Sequence, residues 1–159
     1  SLRGVLFHEY THAVFREVTG GDRPYWLNEG LAEQIERRSR NLAVSTRSER
    51  AALRANIEMD AWIPLSSIAE SFSGLEDDEA RNAYLQSVAT VGFIHTKTDV
   101  SGRRRLLELI GEGFSVDQAL HQVMGLDTEG VDAAIRAEIR REFPVWTLPA
   151  AKGDAPEPS

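Results

Sequence analysis

The sequence contains no cysteine, which rules out both a disulfide framework and a thiolate metal site. It has no apolar run approaching the ~20 residues that cross a bilayer as a helix, so no membrane segment is expected within it. Positive charge is in short supply, with 18 Lys and Arg against 25 Asp and Glu and a net charge of −7. A general nucleic-acid binder is expected to be basic, so nucleic acid is not an expected partner. The chain lacks an initiating Met, a basic leader and a hydrophobic leader core, and the expectation is that any leader or anchor lies outside it. There is also no internal repeat and no pair of alternating segments that reads as β-strands. What remains, in 159 residues with 42% apolar content, suits one domain with a sizeable core.

Two stretches organise that domain: Phe7-His8-Glu9-Tyr10-Thr11-His12 and Trp26-Leu27-Asn28-Glu29-Gly30-Leu31-Ala32-Glu33. Residues four apart lie one turn above each other on a helix. His8 and His12 can therefore turn two imidazoles toward one ion, each nitrogen about 2 Å from it. Glu9 stands beside the first His, within reach of a water at the ion without being a ligand. This is the His-Glu-x-x-His pattern, in which the Glu is a general base. A catalytic zinc site takes a third protein ligand and keeps a position open for water. Glu29, with 16 residues between it and His12, is the candidate third ligand. The helix carrying the His pair is apolar nearly all round (Leu2, Val5, Leu6, Phe7, Ala13, Val14, Phe15, Val18), which predicts burial. Imidazoles and a carboxylate in a buried helix need partners, and a metal supplies them.

The two stretches together resemble the gluzincin metallopeptidases, including the aminopeptidase N type, and more closely the peptidase MA-like domains common in bacterial proteins. Pro64-Leu65, Ala83-Tyr84-Leu85-Gln86-Ser87 and the segment from Ala119 to Leu126 add to the likeness. It spans roughly residues 1 to 143, with the specific motifs confined to the first 33. The resemblance implies one zinc ion per chain on His8, His12 and Glu29, with Glu9 as catalytic base. It also implies Tyr84 as the hydroxyl that steadies the oxyanion, a peptide or protein as substrate, and an extracytoplasmic or membrane-anchored parent protein. Two departures narrow it. The spacing from His12 to Glu29 is shorter than the aminopeptidase N type usually has, and no Gly-x-Met-Glu-Asn exopeptidase motif occurs, so aminopeptidase action is not implied. Zincins also carry a β-sheet ahead of the first motif helix. With the first His at position 8, the expectation is a fragment from which that sheet is absent.

Along the chain, the first helix is predicted from about Leu2 to Val18, stopping at Gly20-Gly21. Pro24 leads into a second, from Trp26 to Arg38. Glu33 shares a face with Glu29. It reads either as the acceptor for a ligand imidazole's second N–H or as a surface partner of Arg37. Gly30 suggests close packing of the two motif helices, and Asn28 carries no assigned chemistry. Arg37, Arg38, Arg40, Arg47, Arg50 and Arg54 form a basic stretch, read as a solvated helical face. Thr46-x-x-Glu49 and Ser115-x-x-Gln118 are capping boxes, opening helices to about Glu58 and Met124. A short helix is predicted over 66–70, and a long, mostly buried one from Glu79 to Thr96 carries Tyr84. Tyr10 and Tyr25 compete with Tyr84 for the oxyanion role. His95 and His121 read as packed or surface residues, because neither belongs to a ligand-spaced pair. Another helix is expected from Arg103 to Gly111, with Arg104 meeting Glu108, and the last runs from Asp127 or Thr128 to Phe143.

The fold class read from this pattern is all-α: the helical catalytic part of a zincin-like domain over 1–147, followed by a disordered tail or linker over 148–159. The function is zinc-dependent peptide-bond hydrolysis. Its rivals are a non-catalytic, zinc-stabilised helical domain or scaffold, and a zinc hydrolase of another amide or ester.

Overall fold

A computed structural model describes residues 1–144. The predicted tail over 148–159 and the end of the 1–147 domain lie outside the described residues. Among these there are seven α-helices, one 3₁₀ turn and no strand. The helices are α1 (Leu2–Thr19), α2 (Tyr25–Ser39), α3 (Arg47–Glu58), α4 (Asp77–Lys97), α5 (Val100–Gly111), α6 (Val116–Met124) and α7 (Thr128–Glu142), with the 3₁₀ turn at Leu65–Ile68 between α3 and α4.

Local chemistry explains most of the boundaries. Ser1 caps α1 by accepting from the Gly4 N–H, and Gly20 ends the helix in the left-handed region at φ 79, where glycine meets no Cβ penalty. Both capping boxes form: Thr46 with Glu49 opens α3, and Ser115 with Gln118 opens α6. The predicted start at Arg103 is late, because the Asp99 carboxylate accepts from Gly102 N–H and starts α5 at Val100. Asp127 caps α7 in the same way.

The core forms around α2, whose Trp26, Leu27 and Ala32 are buried. Helix α1 packs on one side of α2 and α4 on another; α5 pairs with α6 and touches α1, while α3 rests on α4 and α7. Trp26, Leu53, Leu65, Ile68, Leu109, Leu120, Ile135 and Ile139 are fully enclosed. No helix among the described residues is long and apolar enough to cross a membrane.

Three sequence expectations need correcting. First, α1 is not buried all round. Only Gly4, Phe15 and Thr19 are buried, and Leu2, Leu6 and Tyr10 are 76%, 60% and 68% exposed. The helix buries one stripe, Gly4–His8–His12–Phe15–Thr19, against its neighbours; its apolar composition on the other faces does not meet a partner among the described residues. Second, Gly30 does not serve the packing of the two motif helices. A Cβ there would lie 2.5 Å from Val91 Cγ2 and 2.6 Å from the Ser87 carbonyl oxygen, so this glycine lets α2 close on α4. Third, the arginine stretch is only partly a solvated face. Arg54 is buried, donating to the Phe143 carbonyl and pairing with Glu58. Arg50 reaches across to Glu138 and Glu142 on α7. Arg37 joins Glu33, Glu49 and the Val44 carbonyl. These arginines tie helices together where charge-run statistics suggested surface.

Candidate metal centre

The stripe by which α1 packs on α2 brings the motif residues together. His8 and His12 stand one turn apart with ring centroids separated by 4.8 Å and planes inclined at 72°. Across the seam, α2 presents the buried carboxylate of Glu29. His12 Nε2 lies 3.4 Å from Glu29 Oε1, and His8 Nε2 lies 3.9 Å from Glu29 Oε2. One ligand atom from each of His8, His12 and Glu29 lies within 4.8 Å of the others. Two donors each ~2.1 Å from a tetrahedral ion are about 3.4 Å apart, so the donor set and its spacing fit zinc.

The far edges of the two rings are tied down separately. His8 Nδ1 is 2.9 Å from Glu36 Oε2, and His12 Nδ1 is 2.8 Å from Asn28 Oδ1. A carboxylate and an amide oxygen only accept, so in the resting site Nδ1 of each ring carries the proton. The Asn28 amide nitrogen donates to the Asp22 carbonyl at 3.4 Å, which fixes the amide with its oxygen toward His12. In the neutral Nδ1–H form, both Nε2 atoms, which face Glu29, are available as lone-pair donors. This is the tautomer a metal-binding histidine requires.

Glu33, the sequence candidate for that outer acceptor, sits 3.9 Å from His8 Nδ1 and is held by Arg37 Nε at 3.0 Å. The surface-pair alternative describes it better, and Glu36 makes the bond to His8. Glu36 was not singled out from the sequence, although Glu29, Glu33 and Glu36 follow the i, i+4, i+7 spacing of one helix face. Asn28 was assigned no chemistry; its only signal is its position beside Glu29. Glu9 is exposed on α1 beside His8 and forms no ion pair among the described residues. It is a solvent-facing carboxylate one residue from His8.

Tyr84 is 41% exposed and not the interior residue that its place in a long apolar helix suggested. It stands edge-on to Phe72, 5.0 Å between centroids, and Phe72 stands edge-on to Tyr25 at 4.7 Å. Burial, followed by the charge of Glu29, raises the pKa of both phenols. The shift is large for Tyr25, which also meets Glu29 and Tyr84 through its hydroxyl. Both hydroxyls therefore stay protonated donors at neutral pH, at the edge of the cluster formed by the histidines and Glu29. Tyr10 points away from this cluster in the sense that it is 68% exposed with the open apolar side of α1. His95 lies elsewhere, accepting at Nε2 from Arg38, and His121 is exposed on α6.

No curated protein and no solved structure matches the chain. A family model does: the one described as the Peptidase MA superfamily aligns with residues 2–141, a span that takes in both motif stretches and all seven described helices but for the last residue of α7. The chain belongs to the Peptidase MA superfamily.

Proposed function

We propose that this peptidase-superfamily domain hydrolyses peptide bonds with a single zinc ion held by His8, His12 and Glu29, and with Glu9 as general base. The observation that carries the reading is the paired tethering of the imidazoles. Glu36 and Asn28 hold both Nδ1 protons, and both Nε2 atoms converge on Glu29. A cation on the two Nε2 atoms and the Glu29 carboxylate would partner all three groups at once.

When bound, zinc supplies Lewis-acid activation of water and of the scissile carbonyl. Glu9 accepts the proton of the attacking water and returns it to the leaving amine; its exposure leaves it free to do both. Tyr84, with Tyr25 behind it, donates a hydrogen bond to the oxygen on which negative charge develops. Glu36 and Asn28 hold the rings through these steps. The substrate is a peptide or protein segment.

Glu9→Gln tests the assignment. The variant is expected to bind one zinc per chain like the wild type and to lose hydrolysis of a peptide library. Undiminished hydrolysis by a contamination-checked preparation of the variant overturns it. Zinc bound at full stoichiometry with no turnover in the wild type would favour the zinc-stabilised scaffold instead.

A further inference from the structure

A cavity of about 690 Å³ opens between α2, α3, α4 and α7 and shares no residue with the metal centre. Its size lies within the range of small-molecule sites. Three features of its wall are unexplained by the packing of the chain itself.

The first is Gly92, in the interior of α4. A Cβ added there would meet only Val44 Cγ1, at 3.8 Å. That is ordinary contact, unlike the collision at Gly30. The glycine costs the helix up to about 1 kcal/mol relative to alanine without being needed for close approach, and it leaves the cavity wall recessed. The second is Gln34. It is 4% exposed, lines the cavity, and its amide makes no hydrogen bond with any described residue. Its amide atoms are not among the sealed, unpartnered ones; they reach solvent through the cavity and are open to a polar ligand group there. The third is charge. Arg50 is engaged by Glu138 and Glu142. Among the described residues the Arg38 guanidinium bonds only to His95 Nε2, at 3.1 Å, and Arg141 has no ion pair. A guanidinium only donates, so the His95 ring accepts and is neutral. Burial, then Arg103 and Arg38, lowers its pKa in support. Three guanidiniums thus face two carboxylates, a surplus of one positive charge on a chain whose net charge is −7.

We propose that this cavity is a binding site for a small organic monocarboxylate with an apolar body and a second hydrogen-bonding group. The carboxylate takes the fork of Arg38, in the bidentate manner guanidinium favours. The body lies against Phe93 in the recess left by Gly92, and the second polar group meets the Gln34 amide. Glu138 and Glu142 repel a multiply charged ligand, which selects a carboxylate over a phosphate ester. The site is independent of the hydrolytic reading.

The test uses the full chain, zinc-loaded and isotope-labelled, titrated with 4-hydroxyphenylacetate while amide resonances are followed. Saturable shifts of the Gln34 side-chain amide and the Gly92 backbone amide are expected, with Kd of about 1 mM or tighter. The neutral 4-hydroxyphenylacetamide is expected to bind at least about tenfold more weakly. Gly92→Leu, which fills the recess, and Arg38→Gln, an exposed change that leaves the core intact, should each weaken the probe about tenfold or more at unchanged zinc stoichiometry. Arg38→Gln alone decides the matter if Gly92→Leu does not fold. The proposal is overturned by no saturable shift up to about 20 mM probe, by equal binding of the amide, by inorganic phosphate binding at the same resonances as tightly, or by shifts confined to the neighbours of His8, His12 and Glu29.

Discussion

Removing the Glu36 carboxylate should weaken zinc binding even though Glu36 is not a ligand. Its oxygen stands 2.9 Å from His8 Nδ1, and the only other carboxylate near that nitrogen, Glu33, is at 3.9 Å and already bonded to Arg37 at 3.0 Å. In Glu36→Ala the His8 ring loses its orienting acceptor and the added basicity that acceptor confers. Outer partners of this kind are worth about 10–100-fold in metal affinity, or about 1.4–2.7 kcal/mol. Glu33→Ala is the matched control, with an expected effect under about threefold, because Arg37 keeps Glu49 at 2.7 Å and His8 keeps Glu36. The assay is competition for zinc against a chromophoric chelator at fixed pH, with helix content checked by circular dichroism. A Glu33→Ala variant that loses more affinity than Glu36→Ala would refute the argument, because it would mean that Glu33 holds the ring in the zinc-bound protein.

Tyr84→Phe is expected to lower kcat by about 10²–10³ with little change in KM or zinc content, measured by steady-state peptide hydrolysis; an unchanged kcat would remove Tyr84 from the oxyanion role. Gly30→Ala should destabilise the fold by about 1–3 kcal/mol in urea unfolding, since the new methyl meets backbone at Ser87 as well as Val91, whereas a surface helix glycine would gain stability from the same change. For Glu49, burial opposes ionisation, but hydrogen bonds from Arg37 and Thr46 outweigh it and hold the pKa below its ordinary value of 4.5. A carboxylate with a depressed folded pKa contributes stability above that ordinary value and loses it as pH falls through the depressed one. Arg37→Met should therefore flatten the acid limb of the stability curve, read from melting temperatures across that window; an unchanged acid limb would show that the pair is energetically silent.

The helices were legible from local chemistry, since capping residues and glycine stops act within a few residues of the backbone they satisfy. Thr46 with Glu49 and Ser115 with Gln118 form the bonds their spacing predicts, and Gly20 and Gly125 end their helices in the left-handed region. That His8 and His12 share a face was legible too, because a four-residue step fixes one helix face, whereas Glu29 comes from its motif and not from local geometry. What escaped was everything decided by how two helices sit against each other. Glu33 and Glu36 lie within a turn of each other on α2, and a shift of about one turn along the seam would exchange their roles. The sequence carries no local signal for that shift. Asn28 is a similar case. Its bond to His12 depends on the rotation of α2 about its own axis, which Gly30 sets by letting α4 approach from the opposite side.

That dependence links the fold to the chemistry. The ligands come from both sides of the α1–α2 seam, and α1 contributes a single packed stripe to it, with its other apolar faces open among the described residues. The polar bonds His8–Glu36 and His12–Asn28 join α1 to α2 at the site, beside the buried Phe15 and the contact of α1 with α5. A zinc ion on His8, His12 and Glu29, as proposed, would add a cross-link across this seam. Anything that binds the folded state alone stabilises it by mass action, about 2.7 kcal/mol at a hundred times Kd. That stabilisation would fall on the helix that carries Glu9, so in the proposed reaction occupancy of the site and alignment of the general base would depend on the same contacts.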